Sequence, residues 1–199
     1  YLGSGQKLFV PVYSDIMATT AFQEFVENLG KAVFATAAKN ENTIKKILKR
    51  LALLRPKITI DEFTGAPSVT FSVSPGQEAI NSLEAIFQYF TSQNTQFVLA
   101  IDEFQQVTDY PEKNIEAVLR SFVQQSTNVT LLFSGSRKHI LTGIFTAPDR
   151  PFYNSTQILE LGKISSGSYT DFILERFSSA SRSISPAAVS LILEVASLH

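Results

Sequence analysis

The 199-residue chain contains no cysteine and only two histidines, His139 and His199. Without thiols there is no disulfide framework and no thiolate metal site, and with so few imidazoles zinc chemistry is not expected. An excess of charge of one sign is also lacking. The 17 basic and 18 acidic side chains leave a formal net charge of -1, which gives no global attraction to nucleic acid or an anionic membrane, although a local patch can still act. No apolar run approaches the roughly 20 residues that span a bilayer, and the N-terminal residues lack the charged-then-apolar order of a signal peptide. A cytoplasmic protein without membrane contact is the expectation. Repeats and low-complexity tracts are absent. The composition, 44% hydrophobic and 18% charged, supports a sizeable core in one domain, or one domain with a small appendage. Two Asn-x-Ser/Thr matches, at Asn128 and Asn154, carry no weight without a sign of secretion.

Residues 7–13 read as a short strand in which Pro11 argues for an edge position, with Asp15 at its carboxyl end. From 21 to about 38, Phe22, Phe25, Val26, Leu29, Val33 and Phe34 keep helical spacing. A second helix spans about 42–54, its apolar stripe formed by Ile44, Ile47, Leu48, Leu51 and Leu54 and its other faces by Lys45, Lys46, Lys49 and Arg50. With Lys39, Arg55 and Lys57, seven of the 17 basic residues lie here. A solvated helix face is the plain meaning, and a nucleic-acid or protein contact over residues 45–57 is the testable alternative.

Residues 58–60 and 68–73 form a hairpin around Gly65 and Pro67. A strictly alternating pattern follows: a helix from 75 to 91 with Ser74 as N-cap, a strand at 97–101, a helix at 111–125, strands at 129–133 and 157–161, and a helix at 137–145 between the last two. Strands alternating with helices imply parallel pairing through right-handed crossovers. Two helices, 165–177 and 185–197, then follow each other without a strand between them, as at the beginning of a helical subdomain. The chain begins with Tyr1 and stops at His199 just after an apolar-periodic helix, so a piece of a longer protein is expected.

Chemistry concentrates after the strand at 97–101, where five apolar residues run into Asp102 and Glu103. So apolar a run reads as a strand buried on both faces. The carboxyl edge of an open α/β sheet is where ligands bind, and an acidic pair there can hold a hydrated magnesium ion and polarise a water. The plain alternative is that the two acids cap the next helix. One strand-helix unit later, Ser134-Gly135-Ser136 can hydrogen-bond a phosphate or its attacking water, or simply turn the chain into a helix.

The segments FVLAIDEFQ (97–105), LLFSGS (131–136) and RPFY (150–153), in this order, resemble the archaeal-type ATPase family, P-loop NTPases related to AAA+ and to signal-transduction ATPases. The resemblance implies a three-layer α/β/α fold with a mostly parallel sheet, followed by a helical lid. By matching position, Asp102 would bind magnesium through water as the Walker B aspartate, Glu103 would be the general base and Ser134 or Ser136 the sensor. Arg150 is a candidate trans-acting arginine. ATP and Mg2+ are the implied cofactors, with self-association and downstream partner domains as further implications.

The sequence departs from that family at the phosphate loop, Gly-x-x-x-x-Gly-Lys-Ser/Thr, whose backbone amides cradle phosphates. The Gly-Lys pairs here are Gly30-Lys31 and Gly162-Lys163, and neither has the required glycine before it or a hydroxyl after it. Residues 1–163 are therefore expected to be an ATPase core whose first strand, Walker A loop and first helix lie upstream, and residues 164–199 the start of the lid. Such a piece would itself be inactive. The alternative is a non-catalytic interaction or DNA-binding module that retains the NTPase fold. Asn154-Ser155-Thr156 also stands where many relatives carry Gly-Arg-Ala, against an arginine role at that point.

Overall fold

The computed structural model describes residues 9–37, 41–60 and 67–196, which fall into two compact units, Tyr1–Thr156 and Gln157–His199. The first unit holds, in chain order, β1 (Phe9–Asp15), α1 (Phe22–Ala37), α2 (Glu41–Arg50), β2 (Lys57–Ile60), β3 (Pro67–Thr70), α3 (Gln77–Thr91), β4 (Gln96–Asp102), α4 (Ile115–Gln125), β5 (Val129–Phe133) and α5 (Lys138–Thr146). Strands β1, β4 and β5 form a parallel sheet in that order, and β2 pairs antiparallel with β3 as the expected hairpin. Pro11 lies on the edge strand its missing N–H requires. The fold is mixed α/β with parallel pairing, as the alternating pattern implies.

Both crossovers, β1 to β4 and β4 to β5, step in one direction, so the right-handed rule puts α3 and α4 on the same sheet face. They meet there, Phe87 stacking on Phe122 at 5.7 Å. Beneath them Val12, Leu99 and Leu131 share one row of the register, and Leu99 is fully buried. The next row, Tyr13, Ala100 and Leu132, points the other way, with Tyr13 59% and Leu132 52% exposed. Strand 97–101 is thus fully buried on one face only. Under the carboxyl end of β4 and β5, Phe104, Phe133, Phe145 and Phe152 pack as a ring cluster, Phe104 lying 4.1 Å from Phe133 between centroids. The phenylalanine of RPFY is a core residue.

Several local expectations are corrected. The helix expected over 42–54 ends at Arg50, and a 3-10 turn at Ala52–Leu54 closes with Arg55 in the left-handed region (φ 48). Ser74 does not cap α3, which opens after Gly76 (φ 73). The chain after β4 makes a 3-10 segment, Phe104–Asp109, and α4 starts at Ile115 rather than at Pro111. Residues 157–161 form no strand and join no ladder among the described residues, and Leu159 and Leu161 are 83% and 89% exposed. Period-two patterning needs a neighbour to become a ladder. This segment belongs to the second unit, where α6 (Ser166–Ser179) packs against α7 (Pro186–Ala196) around Ile173 and Val189.

Two motif residues serve packing. Asn128 is buried and its side-chain amide donates to the carbonyls of Phe90 (2.8 Å), Thr95 (3.0 Å) and Gln93 (3.2 Å), tying the end of α3 to the start of β4. Gly30 lies where α1 meets the 3-10 turn, and a Cβ there would stand 2.5 Å from Leu54 Cδ2 and 3.2 Å from Phe71. The Gly30-Lys31 pair is explained by this close approach. Gly30→Ala overpacks the contact and is expected to destabilise the fold by about 1–3 kcal/mol in urea denaturation; unchanged stability would mean that Leu54 swings clear.

Candidate active site

The parallel register brings Asp15, Asp102 and Ser134 to one edge, since Asp15 pairs with Asp102 and Ser134 follows the Ile101–Phe133 pair. Backbone bonds extend the ladder past the strands: Ile16 N donates to Asp102 O (3.2 Å), Ser134 N to Ile101 O (3.0 Å) and Phe104 N to Ser134 O (3.0 Å). Asp102 is consequently flanked on both sides by donors. The Tyr13 hydroxyl donates to Oδ2 at 2.7 Å, the Ser134 hydroxyl to Oδ1 at 2.7 Å, and the Glu103 amide to Oδ1 at 3.0 Å. Hydrogen bonds to the charged form favour it. The Ser134 bond, then the Tyr13 bond, hold the Asp102 carboxyl below the usual aspartate range against a smaller effect of burial.

Glu103 departs from regular backbone, with φ 56 and ψ 37 in the left-handed region. It makes no capping bond to the turn that follows. Its Oε2 instead accepts from the Ser136 hydroxyl (3.0 Å) and from the Gln105 side-chain amide. Gln105 is only 2% exposed, and its Oε1 has no partner among the described residues. The room for it comes from Gly135, where an added Cβ would stand 1.9 Å from Gln105 Oε1 and 3.0 Å from Cδ. Gly135 therefore lets a side chain come close, not a ligand, and Ser136 is not the N-cap of α5, a place taken by Arg137.

Four of the sequence-derived residues, Asp102, Glu103, Ser134 and Ser136, meet in one hydrogen-bonded group, with Ser134 on the aspartate and Ser136 on the glutamate. Arg150 is not part of it. Its guanidinium pairs with Glu116 of α4 at 2.7 Å and lines a cleft of about 180 Å³ with Tyr110, Glu112 and Lys113, in which none of those four residues takes part. Burial pushes the Glu116 carboxyl up, and Arg150 pulls it partly back. Two members of the group carried no role at the sequence level. Tyr13 reaches Asp102 only through the β1–β4 register, which no local pattern reveals. Gln105 stands inside FVLAIDEFQ, but nothing in a single sequence says that it turns back onto Glu103. Among the described residues no three His, Cys, Asp or Glu side chains cluster as metal ligands.

The depressed Asp102 carboxyl contributes stability at pH values above the usual aspartate range, and that contribution is lost as pH falls through the depressed value. Ser134→Ala removes the larger cause and Tyr13→Phe the smaller. In a side-chain carboxyl NMR titration both variants are expected to raise the Asp102 midpoint, Ser134→Ala by more; an unmoved midpoint in both would contradict the hydrogen-bond account. Gly135→Ala is expected to break the Gln105–Glu103 bond, seen as a shift of the Gln105 side-chain amide resonances, and to destabilise by about 1–3 kcal/mol.

No protein-family model and no curated protein matches the sequence. Among solved structures, the chain is similar to a Walker-type ATPase of Pyrococcus abyssi, with a TM-score of 0.53 and 14% identity over 92% of this chain and 51% of that one. The chain thus spans about half the length of that ATPase. At this identity the likeness is one of fold, and the mixed α/β unit with its parallel sheet has a P-loop NTPase-like fold.

Proposed function

We propose that these residues are the core of an ATP-hydrolysing P-loop protein of the AAA+-like archaeal ATPase type, in which hydrolysis drives a conformational or assembly switch. The observation that carries this reading is the acidic pair at the carboxyl edge of β4: a charged Asp102 between two hydroxyls, followed by a Glu103 held off the regular backbone. Left-handed backbone at a non-glycine residue persists where surrounding structure over-determines it, which happens most at working sites. Phe104, buried in the ring cluster, and Gln105, wedged on Gly135, supply that constraint.

Asp102 suits a magnesium ion held through water. Its carboxyl is biased to the charged form, and magnesium takes one or two carboxylates and phosphate oxygens rather than a full protein cage. Bound there, the ion would neutralise charge on the transferred phosphoryl group. In this reading the chain's own residues do the rest. Glu103 accepts the proton of the attacking water, and Ser136 and Gln105 orient its carboxylate. Ser134 fixes Asp102 and is the sensor hydroxyl of this reading. Arg150 is paired with Glu116 and stands outside this chain's own group, so a trans-acting role would be toward a neighbouring copy. Helices α6 and α7 are read as the start of the lid.

The phosphate cradle is not in this sequence, so nucleotide affinity must come from a loop outside these residues. Residues 1–199 alone are expected to show no micromolar binding of magnesium-ATP in isothermal titration, and such binding would remove the need for an outside loop. In a longer polypeptide that supplies the loop, Glu103→Gln is expected to lower turnover by about 100-fold or more, with nucleotide affinity kept within about twofold. Unchanged turnover would take Glu103 out of the reaction. Absence of turnover in the unaltered protein would favour a non-catalytic module, a reading that draws on both carboxylates already being met by internal donors.

A further inference from the structure

We propose that the outward face of α2 is a binding surface for the phosphate backbone of duplex DNA. Residues 44–57 hold six basic side chains and no acidic one, in a chain whose net charge is -1, so the remaining residues together carry -7. The positive charge is therefore local, against a net negative remainder. At about 100° per residue, Lys45, Lys49, Lys46 and Arg50 fall within about 140° of helix arc, with Ile44, Ile47, Leu48 and Leu51 opposite. The structure places the two sets accordingly. Ile47 and Leu51 are buried in the core, and Lys46, Lys49 and Arg50 are exposed.

Lys46, Lys49 and Arg50 are not consumed internally. Among the described residues Lys46, Lys49, Arg50 and Lys57 make no side-chain ion pair, whereas Arg55, at the end of the same patch, pairs with Glu78 at 2.6 Å. A protein partner is usually met by interspersed acceptors and a buried aromatic anchor. Here the acceptors stand at the margins, Glu78 beside Arg55 and Glu41 at the start of α2, and residues 44–57 bring none of their own. Residues 44–57 contain no aromatic side chain on which an unpaired base could stack. What remains is a row of exposed donors, Lys46, Lys49 and Arg50 on α2 with Lys57 at the start of β2, the pattern that meets the charged rails of a duplex and positions without reading sequence.

The assay is fluorescence anisotropy of the unaltered chain with a labelled DNA duplex of about 20 base pairs, from about 50 to 200 mM salt. With four phosphates neutralised by Lys46, Lys49, Arg50 and Lys57, the logarithm of affinity should fall against the logarithm of salt with a slope of about -3.6. The triple variant Lys46→Gln, Lys49→Gln, Arg50→Gln changes exposed positions only, and circular dichroism checks that it melts as the unaltered chain does. It is expected to bind at least about tenfold more weakly, with the slope shallower by about 2.7. A charge-matched control, Lys31→Gln, Lys113→Gln, Lys163→Gln, should leave slope and affinity nearly unchanged. Absence of binding at the lowest salt, an unaltered slope in the α2 variant, or an equal loss in the control would each overturn the proposal. So would sedimentation with phosphatidylserine vesicles without duplex binding, which would assign the face to a membrane surface. No nucleotide enters the assay, so its outcome is independent of the hydrolytic reading.

Discussion

The parallel register of β1, β4 and β5 is the constraint on which the polar edge depends. Side chains alternate along a strand, so a slip of one residue in either pairing would turn Asp102 away from Tyr13 or from Ser134. The register is in turn enforced from the other face, where Val12, Leu99 and Leu131 must stay together under the helices. Apolar packing on one side of the sheet thereby sets hydrogen bonds at its end. Phe104 continues the linkage: it directly follows Glu103 and is fully buried against Phe133, Phe145 and Phe152. The backbone at Glu103 is held from below by rings and from the side by Gln105.

The elements with strong periodicity were legible in the sequence. Helices α1 and α3 and strand β4 form close to where the apolar spacing puts them because each buries a continuous face, and β5 and the β2–β3 hairpin form there too with less burial. Local chemistry was less decisive. Ser74 and Pro75 make a good helix start on paper, but the Ser74 hydroxyl accepts from the Arg55 guanidinium at 2.9 Å and α3 begins at Gln77. Residues 157–161 have strand composition and no strand, since pairing is a property of two segments and only one is visible in a local reading.

The candidate site divides the same way. Asp102, Glu103, Ser134 and Ser136 were found because they sit at strand ends, a place that period and length define. Tyr13 and Gln105 were not, because their roles arise from a lateral neighbour in the sheet and from a side chain folding back into a gap. Arg150 shows the converse: it stands in a motif, yet a buried carboxylate on α4 claims its guanidinium. A charged residue in a loop advertises nothing about its partner until the helix beside it is placed. The likeness to the Pyrococcus abyssi ATPase shows the architecture and leaves these assignments to the chemistry of the side chains.

The backbone at residue 103 carries a further consequence. Glycine adopts φ 56 freely, whereas a side chain there costs on the order of 1 kcal/mol. Glycine at 103 would relieve that cost but remove the acceptor of the Ser136 hydroxyl and of the buried Gln105 amide, and an unmet buried donor costs about 1–3 kcal/mol. The strain at this peptide unit is thus offset by the bonds its own side chain makes, so a search for hardier variants that scores only melting would retain the carboxylate for its hold on Gln105.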